Sequence, residues 1–189
     1  MPANSSSPHV LLSANAIDSA VARMSRAIAG SHPNGADVVL IGIQTGGVHL
    51  ARQLASRLGA VWRRTLPVGQ LDVAMHRDDL DQRLAPQVHP TAIPFDITGK
   101  QVILVDDVLF TGRTTRAALG ALNDLGRPKR VQLAVLIDRG HRELPIQADF
   151  IGRKLETAST DRVDVQLVEG DGVSQVTILR APLKRGGRS

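Results

Sequence analysis

Short apolar runs alternate along the chain with segments in which apolar residues recur at helical spacing. The uninterrupted apolar runs, rich in β-branched residues, predict strands buried on both faces over residues 37–43, 101–105 and 131–137. The helical spacing predicts helices over residues 13–30, 47–58 and 114–125. Shorter strand-like runs lie at 65–76, 148–151, 163–168 and 175–179. This alternation favours an α/β fold with a mostly parallel sheet.

Length and composition indicate one domain that needs neither disulfides nor a structural metal ion. The chain has 189 residues and no cysteine, so disulfides, thiolate catalysis and cysteine-bound zinc are excluded. We expect a single domain over residues 10–181, a disordered Ser- and Pro-rich segment at 1–9, and a basic flexible tail at 182–189. The N-terminus lacks the pattern of a secretory signal, and no apolar run is long enough to cross a membrane, so we expect a cytoplasmic protein.

Charge and aromatic content give no strong sign of a nucleic-acid partner. The net charge of +5 is ordinary for a soluble domain of this size. The chain has only three phenylalanines and one tryptophan, so it offers few side chains on which nucleic-acid bases could stack. In parallel sheets ligands bind at the carboxyl ends of strands, so we expect the site to be built from residues 44–47, 106–113 and 138–147.

The segment VILVDDVLFTGRTT, residues 102–115, carries the chemistry. A buried strand leads to Asp106 and Asp107, and a Gly- and Thr-containing turn then opens a helix. Helix N-termini bind phosphate through free N–H groups, and ionised carboxylates accept hydrogen bonds from sugar hydroxyls. The combination predicts recognition of a ribose 5-phosphate. Each half alone is also common without a ligand, as a plain turn or as a helix cap.

These residues are similar to a known family. Residues 102–114 resemble the binding motif for 5-phosphoribosyl-1-pyrophosphate (PRPP) of type I phosphoribosyltransferases. With LDVAMHRDDL at 71–80, the run at 93–119 and the run at 125–155, the chain resembles the PyrR family over roughly residues 10–180. That family consists of uracil phosphoribosyltransferases, some of which bind pyrimidine-operon mRNA. The segment DRGHRELPI is more specific than the PRPP motif, which many transferases share.

The resemblance implies a type I phosphoribosyltransferase fold, in which a mostly parallel sheet is flanked by helices and covered by a small hood of strands. It implies that Asp106 and Asp107 contact the ribose hydroxyls and that Arg77 acts on pyrophosphate, and we assign these three residues as catalytic. It also implies PRPP-binding roles for further residues: Thr45, Gly46 and Gly47 at the pyrophosphate, and Val108, Leu109, Phe110, Thr111, Gly112, Arg113, Thr114 and Thr115 toward the 5-phosphate. Asp138 and Arg139 are candidates for framing the base.

The implied reaction is uracil plus PRPP giving UMP and pyrophosphate. The resemblance further implies Mg²⁺ bound with PRPP, no dedicated protein metal site, and a homo-oligomer, either a dimer or a tetramer. Two positions depart from the family pattern: Gly46 replaces an arginine, and Gln147 replaces a basic residue. Three alternatives therefore stay open, namely a UMP-sensing RNA regulator with little catalysis, a transferase for a purine base or orotate, and a catalytically silent nucleotide-binding domain.

Overall fold

The computed structural model describes residues 7–73, 90–168 and 172–181. The helices are α1 (Ala14–Ser31), α2 (Gly46–Trp62) and α3 (Arg113–Leu125). The strands are β1 (His9–Leu12), β2 (Val38–Ile43), β3 (Val68–Leu71), β4 (Gln101–Leu109), β5 (Arg130–Asp138), β6 (Phe150–Lys154), β7 (Arg162–Gln166) and β8 (Gln175–Leu179).

The strands form two sheets. The larger sheet has the order β3-β2-β4-β5-β6, and all of its neighbouring strands are parallel. The smaller sheet, β1-β8-β7, is antiparallel and is the hood. The predicted α/β fold with a mostly parallel sheet and a small hood is confirmed.

Both faces of the larger sheet are buried, which explains the uninterrupted apolar runs. Ile103 and Val105 of β4 pack in the core with α1 and α2, whereas Val102 and Leu104 pack in the core with α3. Successive side chains of a strand point to opposite faces, so a strand covered on both sides is apolar at every position. Hood residues such as Val176 join the α1–α2 core and attach the small sheet to the large one.

Among the strand boundaries that differ from the sequence predictions, two have a clear physical reason. Strand β4 extends to Leu109 because Val108 and Leu109 still pair with Ile137 and Asp138 of β5, so the two acids lie in the strand and not in the loop after it. Strand β3 covers residues 68–71 only and starts after Pro67, which has no N–H to donate to a neighbouring strand.

The chain ends and one inner segment lie largely outside the described residues. Strand β1 begins at His9, inside the segment predicted as disordered. The predicted tail 182–189 and the inner residues 74–89 lie outside the described residues. Within the described ranges, none of the three helices is long and apolar enough to cross a membrane.

Candidate active site

Two helices begin at the carboxyl ends of neighbouring strands of the large sheet, one on each face. Helix α2 follows β2, helix α3 follows β4, and these strands are parallel neighbours. The first turn of a helix leaves N–H groups without partners inside the helix, and the helix dipole adds partial positive charge there. A Cβ atom at Gly47 would lie only 2.3 Å from the Val105 carbonyl oxygen, so α2 begins in direct contact with the β4 backbone. This edge of the sheet therefore offers two adjacent sites for anionic groups.

The first site is a cavity of about 250 Å³ where β4 leads into α3, referred to below as the β4–α3 cavity. It is lined by Asp106, Val108, Leu109, Phe110, Thr111, Gly112, Arg113, Thr114, Thr115 and Glu143. Gly112 caps α3 at φ 93°, in the left-handed region that favours glycine. The sequence prediction of a glycine turn at this helix start is therefore confirmed in its geometry.

Thr115 gives this cavity a buried polar group that is available to a ligand. The residue is 2% exposed, and its hydroxyl has no hydrogen-bond partner among the residues that the structure describes. Leaving a buried hydroxyl unpaired costs about 1–3 kcal/mol. An anion oxygen in the cavity would remove that cost.

The second site is a cavity of about 510 Å³ between the start of α2 and the hood, referred to below as the β2–α2 cavity. It is lined by Thr45, Gly46, His49, Asp107 and residues 165–168. Thr45 caps α2 without a side-chain hydrogen bond to the helix, and the peptide bond between Gln44 and Thr45 is cis. The turn to which the family resemblance assigns pyrophosphate thus faces an open space, which the hood borders on its far side.

The two acids face different cavities. Asp106 lines the β4–α3 cavity and is only 6% exposed, whereas Asp107 lines the β2–α2 cavity. This division follows from their consecutive positions on one strand. Asp106 accepts a hydrogen bond of 3.0 Å from the Asp107 N–H, and Asp107 accepts one of 2.9 Å from the Val108 N–H. The pair therefore places one oriented carboxylate beside each anion site.

The candidate base residues have structural partners. Asp138 forms a 2.6 Å ion pair with Arg142 and accepts a hydrogen bond from the Gly140 N–H. Arg139 is buried, and its guanidinium carbon lies 4.1 Å from the centroid of the Phe110 ring. Burial lowers the pKa of Arg139, and the charge of Asp161 opposes that change. The contacts of Asp138 use its Oδ1, and the side chain also lines a third cavity, of about 540 Å³. Contact of Asp138 or Arg139 with uracil stays a prediction.

Arg139 also ties the site to the chain that follows β6. Its guanidinium donates to the Thr157 hydroxyl at 3.2 Å and to the Ala158 carbonyl at 2.8 Å. The His141 ring meets the edge of Phe110 and lies 2.6 Å from the Thr157 carbonyl oxygen. Phe110 is therefore held on both sides, immediately before the turn that lines the β4–α3 cavity.

Sequence reasoning missed several residues that line the two cavities. Glu143 lines the β4–α3 cavity and pairs with Arg113 at 2.8 Å, and it lies within the DRGHRELPI segment that carried the resemblance. His49 lies one helical turn after Gly46, a spacing that places both on one face of α2. Residues 165–168, at the end of hood strand β7 and just after it, belong to a predicted strand-like run but carried no sign of a role in binding. Arg77, predicted to act on pyrophosphate, lies outside the described residues.

Comparisons with known proteins show the family to which the chain belongs. The family model described as "Phosphoribosyl transferase domain" matches residues 11–169. "Bifunctional protein PyrR" of Chloroflexus aurantiacus is 55% identical over 171 residues, which cover 90% of this chain and 94% of the relative. The protein of the same name from a Roseiflexus species is 51% identical over 178 residues, covering 93% and 97%.

A solved structure supports the fold. The hypoxanthine phosphoribosyltransferase of Trypanosoma cruzi matches with a TM-score of 0.69 at 16% identity, covering 92% of this chain and 97% of the other. At that identity the similarity concerns the fold alone. The sequence relatives and the family model reach further, and they show that the chain belongs to the PyrR family of type I phosphoribosyltransferases.

Proposed function

We propose that this phosphoribosyltransferase uses uracil as its acceptor and forms UMP and pyrophosphate from uracil and PRPP. The observation that carries the site assignment is the placement of Asp106 and Asp107 beside two adjacent helix N-termini. PRPP carries a phosphate at one end of its ribose and pyrophosphate at the other. Two anion sites with acids between them match that distribution of charge and hydroxyls. The choice of uracil rests on the similarity to the PyrR proteins.

Each part of PRPP has a place in this proposal. The 5-phosphate binds in the β4–α3 cavity, at the first turn of α3 and the Thr115 hydroxyl. Pyrophosphate binds at the first turn of α2, where the N–H groups of Gly46 and Gly47 lie. The ribose lies between them, and its hydroxyls donate to the carboxylates of Asp106 and Asp107.

The reaction replaces one bond at C1 of the ribose. The bond from C1 to the pyrophosphate oxygen breaks and its electron pair leaves with pyrophosphate. A bond from C1 to uracil N1 forms, and the proton of N1 passes to the released pyrophosphate or to water. Positive charge develops on the ribose ring as the leaving group departs, as in glycoside cleavage. The helix N-terminus of α2 stabilises the departing negative charge, and the carboxylates orient the ring for attack.

Mg²⁺ fits this site as a companion of the substrate. The ion is commonly held by one or two carboxylates together with substrate phosphates, and Asp107 is the carboxylate beside the pyrophosphate turn. Throughout the three described ranges, no group of three or more His, Asp or Glu residues could hold a metal ion alone. Bound Mg²⁺ would supply neutralisation of the pyrophosphate charge.

The test is an acceptor panel. Purified protein with PRPP and Mg²⁺ is offered uracil, orotate, hypoxanthine or guanine, and nucleotide and pyrophosphate are both measured. We expect UMP formation with uracil, equimolar pyrophosphate, and loss of both with excess EDTA. Turnover with another base in place of uracil would overturn the substrate assignment, and no turnover with any base would favour a silent nucleotide-binding domain.

RNA binding is the second function that the structure supports. Arg23 of α1 donates to the Gly152 carbonyl at 2.9 Å, which joins α1 to β6. Arg26, Arg153 and Lys154 are exposed on these adjoining elements and form a basic surface that RNA phosphates could contact. The relatives are named bifunctional proteins. We propose that this α1–β6 surface binds pyrimidine-leader RNA in response to UMP.

A gel shift with pyrimidine-leader RNA, with and without UMP, tests this second function. We expect salt-sensitive binding that UMP strengthens and that Arg26→Gln with Arg153→Gln weakens. The matched control is Arg52→Gln with Arg57→Gln on α2, which removes the same charge elsewhere. An equal loss of RNA binding in both double variants would indicate nonspecific electrostatic attraction. If the natural protein produced no gel shift, the proposal that it binds RNA would be wrong.

The family resemblance also supports assembly into a dimer or tetramer. Light scattering coupled to gel filtration measures the molar mass directly. A monomer at micromolar concentration would contradict this expectation.

A further inference from the structure

The guanidinium of Arg142 is the centre of a hydrogen-bond cluster behind the β4–α3 cavity. It donates to the carbonyl oxygens of Phe110 at 2.8 Å, Gly140 at 3.0 Å and Ile146 at 3.0 Å. Its remaining nitrogen pairs with the Asp138 carboxylate at 2.6 Å. The side chains of Arg142 and Asp138 are only 21% and 13% exposed, so water competes weakly for these contacts.

The cluster acts on the backbone just where strand pairing ends. The last pair between β4 and β5 joins Leu109 to Asp138, so the Phe110 carbonyl lies beyond the sheet ladder. The next carbonyl, that of Thr111, accepts the N–H groups of Glu143 at 3.0 Å and Leu144 at 3.3 Å. The segment 138–146 therefore supplies hydrogen-bond donors to the backbone that connects β4 to the phosphate-binding turn.

We propose that Arg142 is a positioning residue: it fixes residues 110–115 in the conformation that binds the 5-phosphate and does not itself contact substrate. Its planar fork presents five N–H donors in a fixed geometry, which the three donors on the single nitrogen of a lysine reproduce only in part. Without it, the Phe110 carbonyl loses this donor, the Asp138 carboxylate keeps the Gly140 N–H but loses its ion pair, and the turn that begins at Thr111 is free to shift. A shift of about 1 Å in a binding group can cost up to about a hundredfold in activity.

This proposal rests on the proposed function, because it assumes that the β4–α3 cavity binds the 5-phosphate. Calorimetric titration of the natural protein with ribose 5-phosphate tests that assumption separately. If the natural protein does not bind ribose 5-phosphate, the proposed site fails. If it binds, the variants decide the role of Arg142.

Three ligands separate positioning from direct contact. We expect Arg142→Met to lower the affinities for ribose 5-phosphate and for UMP by the same factor, on the order of tenfold or more. The affinity for pyrophosphate should stay within about twofold of that of the natural protein. Arg142→Lys should recover part of the loss. Arg57→Met, which removes an exposed arginine paired with Asp18, is the matched control and should leave all three affinities unchanged.

Two outcomes would overturn the proposal. A lower affinity for UMP alone would show that Arg142 contacts the base. Unchanged affinities for all three ligands would show that Arg142 has no role in binding. If Arg142→Met does not fold, Asp138→Asn decides the question, since it keeps the shape of the partner and removes its charge. Equal, smaller losses for ribose 5-phosphate and UMP support positioning, whereas loss for UMP alone, or no loss, rejects it.

Discussion

A Cβ atom at position 46 would lie 2.3 Å from Oδ2 of Asp107 and 2.6 Å from its Cγ. Real Cβ atoms do not approach other heavy atoms so closely. Gly46 therefore does more than remove the arginine that the family pattern has at this position. It also leaves space for the present orientation of the Asp107 carboxylate over the β2–α2 cavity.

Gly46→Ala should lower kcat/KM for PRPP by about tenfold. The added methyl group must displace the Asp107 carboxylate, and small displacements of a binding group reduce the rate strongly. Steady-state kinetics with varied PRPP measure the effect. Gly120→Ala on α3, where a Cβ would meet no atom within 4 Å, is the matched control and should leave kcat/KM unchanged. Activity equal to that of the natural protein would show that Asp107 adapts without loss.

Asp107→Asn should reduce kcat/KM by at least about a hundredfold. The change preserves the shape of the side chain but removes its negative charge. That charge strengthens the hydrogen bonds that the carboxylate accepts from the ribose hydroxyls beside the leaving group. UMP formation and pyrophosphate release provide two independent measurements. Asp37→Asn removes a carboxylate that is exposed and paired with Lys100, and it should leave both unchanged. Unchanged activity of Asp107→Asn would show that the ribose lies elsewhere.

Thr115→Val should change the stability of the unliganded protein and its affinity for ribose 5-phosphate in opposite directions. Valine has nearly the same shape, and the replaced hydroxyl is buried without a partner in the described part of the chain. We expect the free energy of unfolding without ligand to rise by up to about 1 kcal/mol, and the affinity for ribose 5-phosphate to fall by about tenfold. Chemical denaturation and calorimetry measure the two quantities.

The control for Thr115→Val is Thr177→Val in the hood strand β8, which lines neither cavity. Its affinity for ribose 5-phosphate should equal that of the natural protein. If Thr115→Val lowered both the stability and the affinity, the interpretation that this hydroxyl forms its hydrogen bond only with a bound ligand would be contradicted.

Local patterns were enough to predict the mostly parallel α/β sheet and to single out a candidate phosphate-binding segment, whereas the hood was expected from the family resemblance alone. The buried runs at β2, β4 and β5 have both faces covered, so their apolar residues are uninterrupted. Residues 106–115 carry acids, glycine and hydroxyls within one strand–turn–helix unit. Their chemistry could therefore be interpreted without knowledge of distant contacts.

The parts that could not be predicted depend on contacts between distant segments. The contact between Arg142 and the Phe110 carbonyl joins residues 32 positions apart, and its geometry follows from where β4 and β5 stop pairing. The same pairing keeps Asp106 and Asp107 in the strand and turns them toward different cavities. The hood residues beside Asp107 lie about sixty positions away and have no distinctive composition.

The contacts of the Asp161 carboxylate predict that the stability of the protein depends on pH. Its carboxylate accepts the Ala158 N–H at 2.9 Å and the Ala181 N–H at 3.2 Å. The hydrogen bond from Ala158 is the main reason that its pKa lies below the ordinary value, with smaller effects from Ala181, Arg180 and Arg139, against an opposing effect of burial. A folded-state pKa below the unfolded one contributes stability that is fully present above the unfolded pKa, near 4, and is lost as pH falls through the folded pKa.

Asp161→Asn should therefore lower the melting temperature at pH 7, and the difference from the natural protein should narrow as the pH falls below about 4. Thermal unfolding followed by circular dichroism between pH 7 and pH 3 measures both effects. Asp18→Asn, which removes an exposed carboxylate paired with Arg57, should change the melting temperature little at pH 7. A difference for Asp161→Asn that stays constant over the whole range would show that the charge of Asp161 does not stabilise the fold, because a purely steric effect does not titrate.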